Sequence, residues 1–161
     1  MLFRLSRLIL RLYGSFLTFL RTCFYFKYDY NSQYQKNLKE GGYKMRIAVA
    51  TEDGYVAQHF GRCPKFTILE VKDGQIVNQS VLENPGYRTH QPGLVPTFLR
   101  NQGVDCVIAG GMGPNAVNML ESFGIKVILG VTGKVEEVMK AFISGSLEGG
   151  ESLCDHGEHE C

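Results

Sequence analysis

Three places in this 161-residue sequence carry side chains that could do chemistry. The first is Gln58-His-Phe-Gly-Arg-Cys-Pro-Lys-Phe66. His59 and Cys63 put an imidazole and a thiol in one loop, borderline and soft donors that suit iron or another transition metal. Gly61 lets the backbone turn tightly or approach a ligand closely, and Arg62 can hold a carboxylate in fork geometry. The same residues also read as a packing loop, with Phe60 and Phe66 anchored in a core, His59 exposed and Cys63 buried. The second place is Gly110-Gly111-Met112-Gly113-Pro114. Between a strand and a helix, its free N–H groups and the helix dipole would favour an anion. It reads equally as a tight turn, and it is neither a dinucleotide fingerprint nor a P-loop, which would need Gly-Lys-Ser/Thr. Thr132-Gly133 repeats the design in weaker form. His90, in Thr89-His-Gln-Pro-Gly93, adds a loop histidine, a residue that alone is usually only polar surface. The third place is the tail, Cys154-x-His156-x-x-His159-x-Cys161. Two thiols and two imidazoles are the donor set of a tetrahedral zinc site. The spacing is tighter than a zinc finger's and no hydrophobic scaffold surrounds it, so the tail reads as metal-binding capacity, not as a preformed structural site.

These residues need elements to position them. Arg46–Ala50 is a short apolar run and predicts a buried first strand. Lys65–Lys72 and Ile76–Glu83 flank Asp73-Gly74, a strong hairpin signal. Leu94–Asn101 predicts a helix closed by Gly103. Val104–Ala109 and Ile125–Leu129 predict buried strands. Between them Pro114 suits a first helical position and Gly124 a stop after Phe123. Lys134–Ile143 is amphipathic, with Val135, Val138, Met139 and Phe142 on one face. Gly145–Gly150 reads as a soft linker that separates the tail from the core. Strand–helix–strand units call for right-handed crossovers and a largely parallel sheet covered by helices. The expectation is an α/β fold: a mixed five-stranded sheet with one antiparallel strand and three helices.

Charge divides the chain at Met45. Residues 1–44 hold eight Lys/Arg and two Asp/Glu, a net of +6, whereas residues 45–161 hold nine and fourteen, a net of −5. Such asymmetry flags a separate segment. Glu40-Gly41-Gly42, encoded GAA-GGA-GGT, contains a purine-rich ribosome-binding sequence at a workable distance from the Met45 codon. Residues 1–44 are therefore expected to be a mis-annotated start or a disordered leader, with translation beginning at Met45. The other reading is a membrane-surface helix, since Arg4, Arg7 and Arg11 recur among Leu, Ile and Phe. The uncharged apolar run Leu12–Leu20 falls far short of the ~20 residues a bilayer span needs. The expected division is leader 1–44, α/β domain 45–147 and a flexible Cys/His-rich tail 148–161. The mild acidity of the core argues against non-specific nucleic-acid binding. The five cysteines are not spaced as a disulfide framework, which suggests a reducing cytoplasm with thiols free for metal or redox work.

Taken in order, Met45-Arg-Ile-Ala-Val-Ala-Thr51, His59-Phe-Gly61 with Cys63 and Phe66, Ala109-Gly-Gly-Met-Gly113 and Gly130-Val-Thr-Gly133 carry a resemblance. Over about 45–150 the chain resembles the dinitrogenase iron–molybdenum cofactor biosynthesis family, whose members have a ribonuclease H-like fold. The resemblance implies a carrier, not an enzyme, for an iron–sulfur or iron–molybdenum-type cluster or its precursor, with metallocofactor assembly proteins as partners. It implies cluster ligation by His59, with Cys63 as a second ligand. No Cys-x-x-x-Cys-x-x-Cys of the radical enzyme that builds the precursor is present, so synthesis is not implied. The tail is not part of the resemblance. Two rivals come from other classes. One is a redox- or metal-sensing regulator resting on Cys154 and Cys161. The other is a metal-dependent nuclease, suggested by fold alone and short of the convergent carboxylates that two-metal chemistry needs.

Overall fold

The computed structural model describes residues 44–89 and 91–153. The leader before Lys44, His90 and the tail donors Cys154, His156, His159 and Cys161 lie outside the described residues. In chain order the elements are β1 (Lys44–Glu52), β2 (Tyr55–Val56), β3 (Lys65–Lys72), β4 (Gln75–Glu83), α1 (Leu94–Asn101), β5 (Cys106–Ile108), α2 (Pro114–Ser122), β6 (Lys126–Ile128) and α3 (Val135–Ser144).

They form one mixed sheet of six strands, ordered β4-β3-β1-β5-β6, with β2 paired to the end of β1. β3 runs antiparallel to β1 and β4, while β1, β5 and β6 are parallel. The expected five strands therefore become six, and β2 is the addition. Its cause is local: Asp53 and Gly54 both take left-handed backbone, φ 49° and 84°, as do Asp73 and Gly74, φ 52° and 73°. Two successive left-handed residues match the twist of a two-residue hairpin. The dipeptide that folds β3 onto β4 thus also turns β1 back into β2. β1 begins at Lys44, whose ammonium lies 2.9 Å from the Glu70 carboxylate. The charge seam at Met45 is thus not an element boundary.

The strands that meet at the centre are buried on both faces. Met45, Ile47, Ala48, Val49 and Ala50 of β1 are all shielded from water. One cluster joins Ala48, Ala50, Phe66, Ile68 and Val107 to Val95 and Leu99 of α1 and Leu120 of α2. Burial at ~25 cal/mol per Å² of apolar surface is what holds these helices to the sheet. α3 contributes nothing to that cluster, although its own stripe of Val135, Val138, Met139 and Phe142 is buried. The outer strand β4 is exposed almost throughout.

The soft linker expected over Gly145–Gly150 does not hold to its end. Gly150 N–H donates to the Leu129 carbonyl at 2.8 Å, and Leu153 N–H to the Gly110 carbonyl at 3.1 Å. The glycines serve close approach: a Cβ on Gly130 would stand 2.6 Å from the Gly150 Cα. Residues 149–153 are a strap laid over the ends of β5 and β6.

Candidate functional site

The sheet has one place where neighbouring parallel strands send their chains in opposite directions. β1 leads toward β3 and β4 on one side, and β5 leads to β6 on the other. In open α/β sheets the crevice beyond the carboxyl ends of such strands is where ligands bind. The loop carrying His59 lies there. Ala57 N–H donates to the Ala50 carbonyl at 2.8 Å, Gly110 N–H to the Ala57 carbonyl at 3.0 Å, and Phe60 N–H to the Gly111 carbonyl at 2.9 Å. His59 and Gly111 form a short parallel bridge. The loop is thus stitched across the ends of β1 and β5. Gly110 permits the approach, because a Cβ there would lie 2.9 Å from the Gln58 Cα and 3.0 Å from the Ala57 carbonyl oxygen. Phe60, 2% exposed, anchors the loop from below, its ring 5.5 Å from that of Phe66. His59 is left half-buried and Arg62 exposed.

Cys63 is turned into the protein. It is 1% exposed, and its Sγ donates to the Phe60 carbonyl at 3.2 Å. Burial pushes its thiol up to about 12, because a thiolate there would lose its water. Asn84 seals the arrangement: its Nδ2 donates to the Cys63 carbonyl at 2.8 Å and to the Gly61 carbonyl at 3.3 Å. Its Oδ1 accepts from Gly86 N–H at 2.8 Å. Cys63 is thus enclosed in the way the packing reading of the loop describes. Cys106, inside β5, is equally enclosed, with burial raising its thiol to about 12.

The glycine turn is also more occupied than its composition suggests. Gly110, Gly111 and Met112 are buried and Gly113 half-buried. The Gly110 N–H is spent on Ala57, and the Met112 N–H donates to Ser152 Oγ at 3.0 Å. Ser152 Oγ in turn donates to the Met112 carbonyl at 3.2 Å. At these two residues the turn is a structural clasp and not an open anion cradle. Downstream, Gly113 caps α2 in extended conformation with no side-chain hydrogen bond, and Pro114 occupies the first turn, as its fixed φ favours. Thr132 is exposed, while Val56 N–H donates to the Gly133 carbonyl at 2.9 Å and ties that turn to β2.

Among the described residues no group of three or more His, Cys, Asp or Glu side chains is placed to hold a metal ion. The site offers one imidazole, one neighbouring guanidinium and a rigid floor. Two residues central to it, Asn84 and Ser152, carry no chemical signal in the sequence. Asn84 reads in sequence as a loop residue, although an asparagine before Pro-Gly is a known turn former. Ser152 had no signal, since its partner lies 40 residues away.

A family model described as dinitrogenase iron-molybdenum cofactor matches residues 43–145. An uncharacterized protein of Methanocaldococcus jannaschii is 35% identical over 107 residues, covering 65% of this chain and 90% of that protein. The crystal structure of PH0822 is 34% identical and superposes with a TM-score of 0.60, covering 65% of this chain and 94% of the other. The apo form of the orange protein from Desulfovibrio gigas is 26% identical with a TM-score of 0.58, covering 68% of this chain and 95% of the other. No helix among the described residues is long and apolar enough to cross a membrane.

Proposed function

The chain belongs to the dinitrogenase iron-molybdenum cofactor family, and on that premise we propose that it carries an iron–sulfur or iron–molybdenum-type cluster, or a precursor of one, held through His59. One observation carries the reading: His59 sits half-buried at the crevice between β1 and β5, on a loop braced by Gly111 on one side and Phe60 beneath. A ligand fixed by its backbone loses little freedom on binding. The exposed guanidinium of Arg62 and the N-terminus of α2 both favour a cargo of negative charge. A single imidazole suits a carrier, which must give its cargo up, better than a closed cage of four ligands does.

The same reading makes the protein a non-enzyme that exchanges cargo with metallocofactor assembly proteins in the cytoplasm, where thiols stay reduced. The ribonuclease H-like assignment belongs to it too, supported by a mixed sheet with a reversed second long strand. The test is anaerobic reconstitution with ferrous iron and sulfide, read as iron per chain and visible absorbance. His59→Ala should bind the cluster at least ~10-fold more weakly, whereas Cys63→Ala should take it up as wild type does. Equal affinity in His59→Ala and wild type would overturn the proposal.

A further inference from the structure

Among the described residues, one element gathers exposed aliphatic side chains: Ile76, Val77 and Val81 of β4, at 42%, 54% and 55% exposure. β4 ends the sheet, with β3 as its neighbour on the inner side. The outer side of an edge strand presents a row of N–H and C=O groups, and proteins blunt such edges with Lys, Pro or very short strands. β4 has none of these. Its nine residues, Gln75-Ile-Val-Asn-Gln-Ser-Val-Leu-Glu83, carry a single charge, at the last position. The register puts the apolar residues on one face. Ile76, Gln79 and Val81 stand opposite Val71, Leu69 and Thr67 of β3, which share a face by the two-residue period of a strand. The β-bulge opposite Glu70 and Val71 inserts Val77 into β4. A bulge can twist an edge away from neighbours, but this one adds Val77 to the face that Gln79 occupies two residues on.

The polarity of β4 reads the same in both directions about Gln79. Asn78 and Ser80 are polar, Val77 and Val81 aliphatic, Ile76 and Leu82 aliphatic, Gln75 and Glu83 polar. A mirror pattern is what a two-fold interface requires, because one patch must serve both sides. We propose that β4 pairs with β4 of a second copy of this chain, antiparallel about a two-fold axis at Gln79, and joins two six-stranded sheets edge to edge. Val77 then meets Val81 of the partner subunit at both ends of the contact, and such cross-strand aliphatic pairs stabilise a sheet. The two central Gln79 amides each carry donor and acceptor, so they can bond across the axis. Glu83 meets Gln75 of the partner subunit, so no like charges oppose. The contact is one strand wide, smaller than the ~1,200 Å² of a stable interface. The dimer is therefore weak, with a Kd of roughly 10–100 μM. Each His59 loop lies toward the Glu83 end of its own β4, where Asn84 donates to the Gly61 and Cys63 carbonyls. Antiparallel pairing sends the two crevices to opposite ends of the joined sheet and leaves both open. Dimerisation stands apart from the carrier reading and does not depend on it.

Sedimentation velocity of the full chain from about 1 to about 500 μM tests the proposal. Wild type should pass from monomer to dimer across that range. Val77→Lys/Val81→Lys sets ammonium groups against each other on both sides of the axis and should weaken association at least ~100-fold. Val77→Lys/Val81→Glu sets an ammonium against a carboxylate at the same places. It should associate within about 10-fold of wild type, and more weakly as salt is added. All four substitutions replace exposed side chains, so thermal unfolding at low concentration should match wild type in both variants, which separates lost pairing from lost fold. A wild type that stays monomeric throughout would leave the edge to a partner of other sequence and overturn the proposal. Equal association in all three proteins would place the interface elsewhere and overturn it too. Equal loss in both charged variants would overturn the two-fold at Gln79.

Discussion

The two sides of β1 are built differently. On one side β3 and β4 are strands of eight and nine residues joined by a two-residue turn, and β4 faces water along most of its length. On the other, β5 and β6 have three residues each. Yet it is the short side that gathers loops from distant parts of the chain: 57–64, 110–113, 130–133 and the strap 149–153. Long strands satisfy their own backbone. Short strands leave their ends to be completed by other segments, and a segment recruited that way can bring a side chain with it. The candidate site lies where the two constructions meet.

The contrast can be broken most severely at Gly110. A Cβ there would press on backbone, not on a side chain that could swing aside, so Gly110→Val should cost about 2–3 kcal/mol. That corresponds to roughly 8 °C or more in Tm by thermal unfolding. Hydrogen exchange at Phe60 should rise with it, while the β3–β4 hairpin keeps its protection. A Phe60 amide as protected as in wild type would show that the loop is not held by its approach to β5.

Alkaline pH sharpens the contrast less strongly, because the two enclosed thiols both belong to the short side and its loop. In an unfolded chain a thiol ionises near 9, but in the fold burial moves Cys63 and Cys106 to about 12. Between those values the folded state binds more protons than the unfolded one. Stability from this source is therefore full below pH 9 and declines as pH rises toward 12. The loss should be roughly 1 kcal/mol per thiol between pH 9 and 10. Urea titrations at pH 8 and pH 10 measure it, and Cys106→Ala should halve the dependence. A pH-independent midpoint would place the thiols in water.

The smallest effect is expected on the long side. Val77 and Val81 on β4 are 54% and 55% exposed. Val77→Thr and Val81→Thr should each change stability by no more than about 0.5 kcal/mol in the same urea experiment.

How legible the molecule was in its sequence follows the same division. The β3–β4 hairpin and all three helices declare themselves locally, through Asp73-Gly74, apolar periodicity, Pro114 and closing glycines; β3 and α1 match their expected bounds. β2 was equally declared by Asp53-Gly54, but two residues are too few to show alternation. The site was half legible. His59 stands out by type, whereas its pairing with Gly111 joins segments with no shared periodicity. Cys63 reads in sequence as ligand and as packing residue alike, because composition cannot say which way a loop residue faces. The strap looked like a linker because Gly149 and Gly150 signal freedom in sequence, while in the fold they permit backbone to lie directly on backbone.

The strap also sets an order of events. Contacts close in sequence form first, and contacts between distant segments wait for the entropy of closing the loop between them. The hairpin needs only residues up to Glu83, whereas Met112 finds its partner Ser152 40 residues later. A chain emerging from the ribosome therefore displays His59 long before the floor beneath it is complete. Only when residue 153 is available does the crevice acquire its final shape, so the finished crevice marks the point at which synthesis of the α/β body is complete.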